Sequence, residues 1–206
     1  QTVSDAGNPP VANTNAMWSS TGLYLQTRPT ANLATVLMGK FVNNTGTNAT
    51  QITLSYLFTI AAGGTSEENG RGTRVYFSLT GQANSWTNVQ ALNTTASTDG
   101  SSTSSASISL NWTNGGSLFV LWLDDNATGG TDAANQIDNF SLRVAAGTPN
   151  WASVGPAGYT NGFSAQPPAT DWATLNIAGG STDNYNPDAE VNAIIRQCSA
   201  TAPTGL

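Results

Sequence analysis

Short runs in which apolar and polar residues alternate are the feature that most constrains how this chain folds. In the clearest run, Gln51 to Ile60, every second residue from Ile52 onward is apolar or aromatic, and most residues between them are Thr or Ser. Successive side chains of a strand point to opposite faces, so this pattern predicts a strand with one buried and one polar face. A run from Ser117 to Leu123 is almost continuously apolar, which predicts a central strand covered on both sides.

Eight such runs at nearly regular spacing predict an all-β fold, with turn residues between them. We expect a two-sheet antiparallel β-sandwich, jelly-roll-like, because this is the common eight-stranded arrangement. The predicted strands are Leu23 to Thr27, Thr35 to Val42, Gln51 to Ile60, Arg74 to Thr80, Trp86 to Leu92, Ala106 to Trp112, Ser117 to Leu123 and Gln136 to Val144.

The composition predicts three regions along the chain. Residues 1–15 are rich in small polar residues and contain Pro9 and Pro10, which is typical of a connector or edge segment. Residues 16–146 form the predicted sandwich, and residues 147–206 form a mostly irregular C-terminal extension. In that extension Asn186 and Pro187 can begin one short helix. Its apolar stripe consists of Val191, Ile194, Ile195 and Cys198.

The charged residues exclude several classes of function. The 206 residues include 12 acids, 6 bases and no histidine, giving a net charge of −6. An acidic chain with the single lysine Lys40 lacks the basic surface that nucleic acids require, and no apolar run is long enough to span a membrane. Catalysis based on histidine is excluded. Glu67, Glu68 and Glu190 fall in a predicted loop and on the predicted helix, so we expect no enzyme activity.

Four segments of the predicted sandwich have a distinctive sequence: TGLYLQTRPT (Thr21 to Thr30), FVNNTG (Phe41 to Gly46), RVYFSLTG (Arg74 to Gly81) and LFVLWLDDNATGGTDAANQIDNFSLRV (Leu118 to Val144). Together they resemble a jelly-roll-like β-sandwich repeat module of large secreted bacterial surface proteins, which ends in the motif IDNFSL. The resemblance implies an extracellular or cell-surface location and several copies in an array.

The segment DWATLNIAGG, Asp171 to Gly180, resembles one that commonly precedes such a sandwich, whereas here it follows. This order implies a tandem array or a head-to-tail polymer, in which copies of the chain are partners of one another. We therefore expect an extracellular structural building block, either a filament subunit or a tandem surface-protein repeat, assembled through its terminal segments. The predicted interface consists of Pro9, Pro10, Val191, Ile194 and Ile195.

The alternative function is a carbohydrate-binding module of a secreted polysaccharide-acting protein. An exposed aromatic ring can stack on a sugar, and the candidates are Trp112, Trp151 and Tyr159. The competing interpretation is that these rings pack in the core.

A loop rich in oxygen ligands is a candidate calcium site. It contains Asp124, Asp125, Asn126, Asp132 and Asp138, and hard oxygen ligands suit Ca²⁺. The competing interpretation is that these residues form turns.

Six sequons for N-glycosylation occur in the sequence, and the candidate glycan sites are Asn43, Asn48, Asn93, Asn111 and Asn126. The sixth, Asn139, falls within a predicted strand, where we expect no glycan.

Overall fold

A computed structural model describes residues 3–5, 13–30, 33–61, 73–94, 100–125, 133–144, 157–166, 172–178, 192–193 and 195–196. These residues form two β-sheets that pack face to face, which confirms the predicted all-β sandwich. Helix is confined to a 3₁₀ turn at Gln90–Leu92 and to residues 192–193 and 195–196, within the part of the chain described.

Twelve strands make up the two sheets. They are β1 (Ser4–Asp5), β2 (Asn13–Ser19), β3 (Tyr24–Arg28), β4 (Leu33–Val42), β5 (Ala49–Ala61), β6 (Arg74–Ser78), β7 (Thr87–Asn88), β8 (Gly100–Trp112), β9 (Ser117–Asp125), β10 (Ala134–Val144), β11 (Tyr159–Asn161) and β12 (Trp172–Ala178). The seven-stranded sheet has the order β1-β2-β3-β10-β5-β8, with β11 also paired to β10, and the five-stranded sheet has the order β12-β4-β9-β6-β7. The described pairs are antiparallel except β1 with β2.

Aromatic rings fill the space between the two sheets. Tyr56 of β5 meets Trp122 of β9 edge to face, with ring centroids 5.8 Å apart, and Trp122 stacks on Trp172 of β12 at 5.6 Å. Phe41 of β4 stacks on Phe140 of β10 at 5.2 Å. Burying each such side chain stabilises the fold by about 1.5–3 kcal/mol, so this cluster is the main source of cohesion between the sheets.

A second apolar cluster covers the outer face of the five-stranded sheet. Strand β9 is buried on both faces, as its continuous apolar sequence predicts. The helical residue Ile195 is fully buried on this face, and Tyr76 Oη donates a hydrogen bond of 2.8 Å to Asn192 Oδ1. Asn84 N also donates to the carbonyl of Arg196. The buried members of the cluster are Ala34, Val36, Tyr76, Trp86, Phe119, Leu121, Leu123 and Ile195.

The segment from Trp86 to Leu92 differs from its prediction as one strand. Only Thr87–Asn88 is extended, and a 3₁₀ turn follows at Gln90–Leu92. The physical reason lies in two asparagines: Asn88 Nδ2 and Asn93 Oδ1 bond to the backbone of Val75, so side chains replace the strand ladder. The segment also changes sides: Trp86 packs in the outer cluster on the five-stranded sheet, whereas Val89 and Leu92 pack in the core between the sheets.

Segments on both sides of the predicted sandwich belong to its sheets. β2 begins at Asn13, within the predicted connector, and β11 and β12 come from the predicted C-terminal extension. Trp172 of β12 is opposite Gly39 of β4 and is buried in the main core. Strand pairing therefore continues past residue 146.

Candidate functional site

The outer face of β5 and β8, here called the hydroxyl face, is formed mainly by serine and threonine side chains. On β8 the outward residues are exposed and carry hydroxyl groups, while Ile108 and Leu110 point toward the core. Thr59 Oγ1 and Ser101 Oγ lie 2.7 Å apart, and neither β5 nor β8 contains a charged residue. The face consists of Thr53, Ser55, Leu57, Thr59, Ser101, Thr103, Ser105, Ser107 and Ser109.

The hydroxyl face ends at an open sheet edge. β8 pairs with β5 along one side, and no described strand pairs with its other side. The charged residues Asp138 and Arg143 lie on β10, on the far side of β5 from that edge. The arrangement offers neutral hydrogen-bonding groups along a strand of 13 residues, and it carries no reactive group.

A buried carboxyl group lies between the sheets at one end of the sandwich. Asp124 of β9 is 0% exposed, and its Oδ1 accepts a hydrogen bond of 2.8 Å from Asn135 Nδ2 of β10. Asp124 Oδ2 and Asn135 Oδ1 have no hydrogen-bond partner among the described residues. Burial raises the pKa of Asp124 to about 7, hydrogen bonds from Thr27 and Asn135 lower it, and the charge of Asp125 raises it. A group enclosed in this way cannot touch a substrate.

The described residues of the predicted calcium site do not converge on one point, because their side chains point in different directions, and the site as a whole stays a prediction. Asp124 faces the interior, whereas Asp125 faces the other side of β9 and lies 3.9 Å from Arg74 Nη1. Asp138 lies on the outer face of β10, where its carboxylate accepts hydrogen bonds from Asn139 N and Nδ2. The described residues hold no group of three His, Cys, Asp or Glu that could bind a metal. Asn126 and Asp132 lie outside the described residues.

Asp138 has the turn role that the competing interpretation predicts. Asn139 adopts a φ of 50°, a left-handed conformation that asparagine tolerates better than most residues. The register between β10 and β5 shifts between Asp138 and Ser141, so the carboxylate supports an irregularity of the strand. This bulge also turns Phe140 into the core.

Trp112 is wrongly predicted as a sugar-stacking residue. Its side chain is only 1% exposed, and its indole N–H donates a hydrogen bond of 2.8 Å to the carbonyl of Gly116. Tyr159 is half-buried, and its ring meets Phe41 and Phe140 edge to face at 5.3 and 5.8 Å. Both aromatic groups therefore pack as the competing interpretation predicts. Trp151 lies outside the described residues.

Ile195, which the sequence predicts to lie at an assembly interface, is instead buried within its own chain. It packs on the five-stranded sheet of its own chain, because the outward side of β9 is apolar and needs a cover. Pro9, Pro10, Val191 and Ile194 lie outside the described residues. At the other end of the chain, Val3 is buried and its carbonyl accepts a hydrogen bond from Gln166 Nε2. The described terminal pieces thus contact their own sandwich.

The sequons differ in accessibility. Asn43 is fully buried and its Nδ2 donates to the carbonyls of Thr47 and Trp112, so its prediction as a glycan acceptor in the folded protein is wrong. Asn93 is half-buried and its Nδ2 donates to Asn88 Oδ1. Asn48 and Asn111 are exposed, and their glycosylation stays a prediction. Asn126 lies outside the described residues.

Sequence reasoning missed the edge position of β8 and the burial of Asp124. The sequence carries no signal for the first, because Gly100 to Trp112 lacks the charged residues and proline that edge strands usually contain. For the second, the apolar run of β9 continues directly into Asp124, which would have indicated a buried carboxylate.

No protein-family model matches the chain, and no curated protein is significantly similar to it in sequence. The resemblance to secreted surface-protein modules therefore stays a prediction. No described helix is long and apolar enough to cross a membrane.

Proposed function

We propose that this protein is a non-enzymatic structural unit of an extracellular assembly, with copies of itself as partners. The observation that carries the proposal is the hydroxyl face with its open edge at β8. A long, neutral strand edge is a surface that a folded protein ordinarily covers or protects with charges. In this protein the neutral groups of the hydroxyl face and of the β8 edge favour contact with a similar surface.

The low charge of the chain supports an extracellular location. Charged residues make up 9% of the sequence, and Ser and Thr provide the polar groups of the hydroxyl face. The resemblance to repeat modules of secreted bacterial surface proteins agrees with this location. A neutral surface also suits durable contact between units, because salt weakens the attraction between exposed charges but leaves hydrogen bonds between neutral groups largely unaffected.

The partners of the described carboxylates support a structural role. Asp5 Oδ1 accepts a hydrogen bond from Ser20 N at the turn after β2, and Asp138 supports the bulge of β10. Asp124 is enclosed and Asp125 is paired with Arg74. Each of these groups is engaged within its own sandwich, and Asp5, Asp125 and Asp138 support its turns and strands, as expected of a scaffold.

The experiment that tests this proposal is sedimentation velocity of the full chain over a range of concentrations, combined with a glycan array. A 21.2 kDa monomer that associates as its concentration rises, without binding glycans, supports the structural function. A chain that stays monomeric and binds a defined glycan would instead favour the carbohydrate-binding module. In that case Trp151 is the stacking residue to test, because Trp112 is buried.

A further inference from the structure

We infer that β8 is an assembly edge, which pairs antiparallel with β8 of a second copy of this chain. This inference rests on the proposed structural function and names the contact through which it is carried out. The two seven-stranded sheets would join into one continuous sheet at the junction.

The outer edge of β8 is available for pairing within the described structure. In an edge strand, alternate residues direct their N–H and C=O groups away from the neighbouring strand. The closest described segment, the 3₁₀ turn at Gln90–Leu92, sends its flanking backbone hydrogen bonds to Val75 and Thr73, and not to β8. The strand therefore presents a row of backbone donors and acceptors.

β8 also lacks the features that usually prevent edge-to-edge pairing. Natural edge strands are short, or carry lysine, proline or an inward-pointing charge. β8 is 13 residues long and contains neither proline nor a charged residue. The other described edges are shorter, with two residues in β1, two in β7 and seven in β12.

The side chains of β8 favour a second copy of the same strand as the partner. Two antiparallel copies related by a twofold axis perpendicular to the sheet keep their outer faces on one side. Hydroxyl groups of Ser105 and Ser107 then lie beside hydroxyl groups, and the apolar side chains of Ile108 and Leu110 stay on the core side. The net charge of −6 comes from residues outside β5 and β8, so the junction itself brings no like charges together.

The first experiment introduces charges at the junction. The variant Ser105→Lys with Ser107→Lys places four lysines across it, and like charges on neighbouring strands oppose pairing. We expect the dissociation constant of the dimer, measured by sedimentation velocity, to rise at least about tenfold. The matched control is Ser20→Lys with Ala83→Lys, which adds the same charge at exposed turn positions outside β8. The control should associate as the unmodified protein does.

A second experiment tests the same pairing without adding charges to β8, so its result does not depend on whether the lysine variant folds normally. In a Cys198→Ser background, Thr103→Cys, Ser105→Cys and Ser107→Cys are each treated with a short bismaleimide. We expect a covalent dimer from at least one of them, because paired strands bring outward residues within about 5.5 Å. Ser20→Cys is the control and should stay monomeric.

The outcomes separate the inference from the proposed function. Association that persists in the lysine variant, with no crosslink through β8, would show that the β8 inference is wrong while a structural assembly remains. An unmodified chain that is monomeric at every concentration and binds a glycan would overturn both. Association that the β8 lysines abolish, accompanied by a crosslink, supports both.

Discussion

Replacing the buried carboxyl group Asp124→Asn should remove a pH-dependent loss of stability. In the folded protein burial raises the pKa of Asp124 from its ordinary 3.8 to about 7. The folded state therefore binds the proton more tightly than the unfolded state between these two values. Where the folded state holds more protons, the free energy of unfolding falls as the pH rises.

The size of the effect follows from the difference of about three pH units. Each unit corresponds to about 1.36 kcal/mol, so ionising Asp124 costs the folded protein up to about 4 kcal/mol between pH 4 and pH 7. Below 3.8 the group is protonated in both states, and well above 7 it is ionised in both, so its contribution is constant outside that window. The amide introduced by Asp124→Asn would keep the shape of the side chain and carry no charge at any pH.

Urea unfolding from pH 4 to pH 8.5 measures this difference. We expect the free energy of unfolding of the variant, minus that of the unmodified protein, to increase by about 2–4 kcal/mol from pH 4 to pH 8. Using the difference between the two proteins cancels the titration of carboxylates that do not interact with Asp124; Asp125, whose charge acts on Asp124, contributes to the measured difference. Two curves that stay parallel within about 1 kcal/mol would refute the reasoning, since they would mean that Asp124 titrates alike in both states.

Three further predictions concern the residues whose placement differs from the sequence expectation. Asn43→Ala removes a buried side chain that donates to the carbonyls of Thr47 and Trp112, and should lower the free energy of unfolding by about 2–4 kcal/mol in urea; an unchanged value would contradict this role. Ile195→Ala leaves a space on the outer side of β9 and should cost about 2–4 kcal/mol, without a change in the dimer dissociation constant; weaker association at unchanged stability would restore Ile195 to the interface. Replacing EDTA by excess Ca²⁺ should shift the melting temperature by less than about 1 °C, and a larger rise would point to ligands outside the described residues.

The strands with strong apolar patterns could be predicted from the sequence, because burial of one face, or of both faces in β9, determines their residues. β4, β5, β9 and β10 begin and end within two residues of the predicted runs. β8 is longer than predicted by six residues, since Gly100 to Ser105 contains no apolar residue. Pairing with β5 keeps residues 100–105 extended. Pairing between strands that are distant along the chain leaves little signal in the local sequence.

The sites were harder to predict than the strands, because a side chain's role depends on which face it occupies. Asp124 and Asp125 are adjacent in sequence, and the sequence predicts one calcium loop that contains both. In the fold the first is enclosed between the sheets and the second pairs with Arg74 on the other side of β9. The role of Trp112 is hard to predict for the same reason. Alternation of apolar and polar residues predicts which face of β8 carries its side chain, but it does not indicate that the carbonyl of Gly116, in the following turn, accepts a hydrogen bond from the indole N–H.

The core itself limits where units of this protein can meet. Trp172 lies beyond the predicted end of the sandwich, yet its ring packs against Trp122, Phe140 and Phe163 at centroid distances of 5.6, 5.3 and 5.4 Å. Withdrawing β12 to serve a neighbouring copy would expose these rings, at a cost of several kcal/mol at about 25 cal/mol for each Å² of apolar surface. Pairing at the outer edge of β8 requires no such exchange, because that edge contributes only backbone groups and leaves the core intact. The proposed association through the edge of β8 therefore leaves the sandwich fully folded, whereas exchange of β12 would not.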